Sequence, residues 1–124
     1  MLRTSCWKVD NVEKLTPDIK TYPLGTLAEV RRKILDVKNV KELHSMCSDE
    51  GIYNRFIWDS SVLMVVLEAD SKTKQVSSIV LINTSDVKEF YILYLQLYEL
   101  FGVTLLDEDN EKFIPIRTYK KLYF

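Results

Sequence analysis

The spacing of apolar positions changes twice along this chain, from helical to extended at Gly51 and back to helical at Asp86. Before Gly51, Leu27, Val30, Ile34 and Val37 recur at helical spacing, with Arg31, Arg32 and Lys33 largely on the other side. That pattern predicts an amphipathic helix. Thr26 with Glu29 forms a capping box, in which each side chain satisfies a backbone N–H at the open helix end. Asn39 and Glu42 repeat the box, and Val40, Leu43 and Met46 or Cys47 continue the stripe. One helix over 26–50 is therefore expected, bent or restarted near Asn39 and ended by Gly51.

Beyond Gly51 the pattern becomes extended. Tyr53 to Trp58 is aromatic and β-branched, and Val62 to Leu67 is an unbroken apolar run, which predicts a central strand covered on both faces. A polar turn at Asp70-Ser71-Lys72-Thr73-Lys74 leads into a strand over 75–83, and the three strands most simply make an antiparallel meander. Asp86 and Glu89 form a third capping box, opening a helix over 86–101 that Gly102 ends. Its core candidates are Val87, Phe90, Leu93, Tyr94, Leu97 and Phe101. Tyr91, Ile92, Leu95 and Tyr98 widen the apolar arc, so this helix is either sandwiched by protein or carries an interface.

A hairpin of Val103–Leu106 and Phe113–Ile116 follows, around an acidic turn at 107–111. Residues 1–25 offer a strand from Leu2 to Val9, then turn signals at Thr16-Pro17-Asp18 and Tyr22-Pro23-Leu24-Gly25. The basic, aromatic tail Arg117 to Phe124 reads as a terminal strand or short helix. The expected architecture is α+β: one domain over 1–124, with an antiparallel sheet of about four to five strands and two main helices.

Composition narrows the function classes. A chain of 124 residues has room for one core, and 47% hydrophobic against 28% charged residues is a globular balance. A formal charge of −1 gives no general attraction to nucleic acid or an anionic membrane, and neither is expected as a partner. Met-Leu-Arg-Thr-Ser-Cys-Trp-Lys has no apolar run behind its positive charges, so no signal peptide is read. The longest apolar stretch, Phe90 to Leu97, is too short to span a bilayer. Two cysteines, Cys6 and Cys47, do not make a disulfide framework, and the cytoplasm is the expected compartment.

Candidate chemistry is sparse. His44 and Cys47, three apart on the expected helix, would be half a zinc site or a base and nucleophile, but further ligands and an orienting group are missing. Asp107, Glu108, Asp109 and Glu111 resemble a calcium loop without its turn glycine, so a solvated hairpin tip is the better reading. Arg31-Arg32-Lys33, Lys38 and Lys41 are interleaved with Glu29, Asp36 and Glu42, the composition of a solvated helix face. Tyr119-Lys120-Lys121-Leu122-Tyr123-Phe124 has the composition of a base-stacking strip, outweighed by a fold-closing role. Asn83-Thr84-Ser85 is a glycosylation sequon without a secretory signal, and three scattered glycines build no phosphate loop. No catalytic, cofactor or metal site is expected, and an enzyme is the minority reading. What stands out is charge asymmetry: from Glu99 through Glu111 there are five acids and no Lys or Arg.

In size, Met start, α+β order and long apolar helix, the chain resembles the small cytosolic immunity proteins of bacterial contact-dependent and polymorphic toxin systems. The stretch Phe101-Gly102-Val103-Thr104-Leu105-Leu106-Asp107 followed by Phe113-Ile114-Pro115 is similar in style. The resemblance implies a protein that binds one toxin domain and blocks its active site. Many such toxins are nucleases with basic clefts, which makes Glu99, Asp107, Glu108, Asp109 and Glu111 the expected partner-binding residues. The competing expectations are a dimeric adaptor or secretion-chaperone-like module using the aromatic helix, and a small-ligand-binding domain with a deep pocket.

Overall fold

The computed structural model describes residues 3–10, 19–49, 51–58, 63–82, 87–108 and 110–123. In chain order it contains β1 (Arg3–Val9), β2 (Thr21–Tyr22), β3 (Gly25–Thr26), α1 (Leu27–Leu35), β4 (Val40–Cys47), β5 (Ile52–Trp58) and β6 (Leu63–Ala69). There follow β7 (Gln75–Ile82), α2 (Val87–Phe101), β8 (Thr104–Asp107), β9 (Lys112–Ile114) and α3 (Ile116–Tyr123). Of the expected features, Leu2, the turn Thr16-Pro17-Asp18, Val62, the sequon Asn83-Thr84-Ser85, the cap Asp86, the acid Asp109 and the tail's last residue Phe124 lie outside the described residues.

The expected architecture needs correction. The fold is mostly sheet: one antiparallel sheet of nine strands among the described residues, with three helices rather than two. Its path is β4-β5-β6-β7-β1-β8-β9, with β2 on β1 and β3 on β7. The meander β5-β6-β7 formed as expected, but it is extended on one side by β4 and on the other by β1 and the β8–β9 hairpin.

The helix expected over 26–50 is instead a short helix followed by a strand. Thr26 does cap its start, its side chain accepting from the Glu29 N–H at 3.2 Å, yet the helix ends at Leu35 with Asp36 as its C-cap. Asn39, read as a second N-cap, instead has φ 69°, the left-handed turn that sends the chain into β4. Strand β4 hid because a bulge interrupts its pairing with β5 between Glu42 and Ser45. The β4 row opposite the buried Trp58, Phe56, Asn54 and Ile52 is Val40, Glu42, Ser45 and Cys47, while Leu43 and Met46 are exposed, so the apolar spacing of about three that imitates a helix does not mark the buried face. Gly51 closes a tight β4–β5 turn, with Ser48 N–H bonded to Gly51 C=O at 2.9 Å. A Cβ there would sit 3.1 Å from the Ala69 carbonyl oxygen, so a side chain would crowd the backbone of β6.

Registration stacks one buried row across six strands: Asn54, Leu67, Ile79, Cys6, Leu105 and Ile114. Val30 and Ile34 of α1, Phe90, Leu93, Tyr94 and Leu97 of α2, and Tyr119 of α3 join this face in one core cluster. On the other face the row Val66, Val80, Ser5, Leu106 and Phe113 is buried as well, outside that cluster. Val65, Val66 and Leu67 are thus all buried, as the unbroken apolar run required.

Candidate functional site

Among the buried side chains that seat helix α2, one also ties it to the sheet by hydrogen bonds. Tyr94 is fully buried, and its hydroxyl donates to the Ile114 carbonyl at 2.7 Å while accepting from the Leu105 N–H at 2.9 Å. A phenol can enter a core only with such partners; here they pin the helix to β8 and β9. Burial, partly opposed by the Leu105 N–H, pushes the Tyr94 hydroxyl well above the ordinary tyrosine range. Around the ring, Tyr119 of α3 packs edge-on at 5.9 Å and stacks against Tyr91 at 6.0 Å. The Tyr119 ring is therefore committed to the core, which favours the fold-closing reading of the tail over base stacking.

With Phe90, Leu93, Tyr94, Leu97 and Phe101 facing inward, the other side of α2 meets solvent. It is not a polar face. Ile92 is 49% exposed, Tyr98 44% and Leu100 37%, and Glu99 is the sole charge between Phe90 and Phe101. Of the two readings of the widened apolar arc, exposure on the solvent side is what the structure has. Gly102, φ 67°, stops the helix by donating its N–H to Tyr98 C=O at 2.8 Å. The two-residue link Gly102–Val103 then turns the chain back into β8.

That reversal separates the expected partner-binding residues. Because Tyr94 reaches Leu105, α2 runs back along β8, so Glu99 lies toward the Thr104 end of the strand. The hairpin tip is at the other end, with Asp107 closing β8, Glu108 and Glu111 exposed in the turn, and Asp109 outside the described residues. Asp107 accepts from the N–H and side-chain amide of Asn110 at 3.3 and 2.7 Å. Lys112 stands opposite it in the register, so the tip acquires a cation that the stretch 99–111 lacks.

Glu99 has acquired different company. It borders a groove of about 340 Å³ between the end of α1 and the last turns of α2, where Lys33, Asp36, Val37 and Lys38 face Gln96, Glu99 and Leu100. Lys33 is drawn to one side, its ammonium 5.7 Å from the ring centre of Phe101. The carboxamide oxygen of Gln96 is buried and has no hydrogen-bond partner among the described residues. Nothing in the one-dimensional pattern pointed to this groove, because it forms only when two helices 60 residues apart lie side by side.

The remaining candidates are placed as follows. His44 and Cys47 are both on the strand β4, so the helical spacing that paired them is gone, and Cys47 is exposed. Burial pushes the Cys6 thiol far up, the reverse of what a nucleophile needs. Among the described residues no three His, Cys, Asp or Glu are grouped to hold a metal ion, and no helix is long and apolar enough to cross a membrane. The basic face of α1 is partly spent internally: the Arg31 fork holds Glu42 of β4 at 2.6 and 2.7 Å, with Asn54 donating to the same carboxylate at 3.0 Å. These bonds hold the Glu42 carboxyl at about 2. Comparison with known proteins adds no relative: no family model, curated protein or solved structure matches the chain.

Proposed function

We propose that this chain is a binding protein without catalytic activity of its own, acting in the cytoplasm to neutralise a basic bacterial toxin domain by covering its active cleft. The observation that carries the reading is the solvent side of α2, where Ile92, Tyr98 and Leu100 are exposed around a single carboxylate, Glu99. Aromatic and aliphatic side chains on a rigid helix supply the desolvated anchor of an interface. The acids at the β8–β9 tip act at longer range, raising the association rate of a basic partner in a salt-dependent way.

The test begins with the open reading frames next to this chain's gene: one that arrests growth when expressed is the candidate toxin, and growth is then measured with and without the chain. Wild type should restore growth and bind the purified toxin. Ile92→Asp combined with Leu100→Asp should do neither while keeping its circular dichroism. Reversing Asp107, Glu108, Asp109 and Glu111 to Lys should slow association at low salt and leave the fold intact. A wild-type chain that fails to bind the toxin overturns the reading. So does a stable dimer in sedimentation that the same two substitutions dissociate, since the α2 face then belongs to a second copy.

A further inference from the structure

We infer, independently of the toxin reading, that strand β4 pairs with the β4 of a second copy, antiparallel about a two-fold axis, so that two sheets become one. β4 ends the path of the sheet, and along its outer edge no strand stands beside it among the described residues. The edge is open to water on both faces of the sheet. Lys41, Ser45 and Cys47 are exposed, and so are the apolar Leu43, at 38%, and Met46, at 53%. A row of backbone N–H and C=O groups of this kind is a template for one chemistry, another extended backbone.

The bulge selects which backbone. Between Glu42 and Ser45, β4 has Leu43 and His44 where β5 has only Arg55. A regular strand on the open edge would meet that insertion with one residue against two, as β5 does, and lose ladder hydrogen bonds there. A second β4 brings the same insertion, so two residues face two and the count matches from Val40 to Cys47. This register sets Val40 opposite Cys47, Lys41 opposite Met46 and Glu42 opposite Ser45 of the other copy. The faces agree as antiparallel pairing requires. Val40, Glu42, Ser45 and Cys47 all stand opposite buried residues of β5, whereas Lys41 and Met46 stand opposite the half-buried Ile57 and Tyr53. No like charges meet. The stem of Lys41 lies along Met46, and Glu42 is held by Arg31 and Asn54 of its own chain. Helix α2 is pinned to β8 and β9 at the far end of the sheet path, so the pairing leaves its solvent side free in both copies.

The experiment is analytical sedimentation of the full chain, with a charge exchange that reads the register. One strand pair is at the low end of specific interfaces, so a monomer–dimer equilibrium with Kd of about 10–100 µM is expected over loadings of about 5–500 µM. Met46→Lys puts two ammonium groups opposite each other at both ends of the pairing and should weaken the dimer about tenfold. Met46→Glu puts a carboxylate opposite Lys41 instead and should bind at least as tightly as wild type. Lys41→Glu combined with Met46→Lys restores opposite charges and should recover the dimer. Met46 is exposed, so its variants keep the native circular dichroism. A chain that stays monomeric throughout overturns the inference. So does a dimer that Met46→Lys leaves unchanged, one that Met46→Glu weakens equally, or one that Ile92→Asp with Leu100→Asp dissociates.

Discussion

Replacing Tyr94 by Phe isolates one oxygen atom. The ring, its edge contact with Tyr119 and its burial all remain, while the Ile114 carbonyl and the Leu105 N–H both lose their partner. Each buried backbone group left unpaired costs about 1–3 kcal/mol, so the variant should lose about 2–4 kcal/mol once partial relaxation of the β8–β9 hairpin is allowed. For a domain of this size that corresponds to a melting temperature about 8–16 °C lower. Urea unfolding followed by fluorescence measures it, and an unchanged m-value would show that the unfolded reference is the same. Tyr98→Phe, at an exposed site on the same helix, serves as the control and should change stability by about 0.5 kcal/mol or less. A loss below about 0.5 kcal/mol in Tyr94→Phe would refute the argument, because the hydroxyl would then not anchor α2 to the hairpin.

The same burial makes an alkaline prediction: Tyr94 and Cys6 have raised values in the folded chain, so the unfolded chain loses these protons first. Stability should be full below about pH 8.5 and fall as pH rises past the unfolded cysteine and tyrosine values, less steeply in Tyr94→Phe; equal slopes would remove Tyr94 from the account. At the acid end, Glu42 is held at about 2, so its contribution is present above its ordinary value near pH 4.5 and lost as pH falls toward 2. Urea midpoints of wild type and Glu42→Gln should therefore converge on acidification, and a constant gap would contradict the Arg31 clamp. Leu97→Ala, at a site with no solvent exposure, should cost about 2–5 kcal/mol in denaturant melts; below about 1 kcal/mol the helix would not be packed there. Cys47 should react with Ellman's reagent in the native chain and Cys6 only on unfolding, a difference that early modification of both would overturn.

Local patterns that depend on neighbours in sequence were legible without the fold. Helix α2 with its Gly102 stop, the Thr26 cap and the Asp107–Lys112 turn rest on contacts within a few residues, and the meander over β5 to β7 joins strands consecutive in the chain, where periodicity and turn chemistry act directly. The inward set Phe90, Leu93, Tyr94, Leu97 and Phe101 was readable for the same reason. Strand β4 was not, because its identity comes from pairing with β5, and polar Glu42 and Ser45 sit opposite buried residues while Leu43 and Met46 are exposed, so no apolar alternation announced it. The size of the sheet was also decided in three dimensions, since β1 joins β7 and β8 through hydrogen bonds between segments about 70 to 100 residues apart. The candidate surface divides likewise. Apolar excess on α2 and acid excess over 99–111 are properties of the sequence alone. Only the turn at Gly102 carries Glu99 away from Asp107, and only the approach of α1 gives Glu99 its groove, with Asp36, Val37 and Gln96. Charge content is inherited from composition, but which charges act together is set by the packing that brings them within a Debye length, and no spacing along the chain encodes that directly.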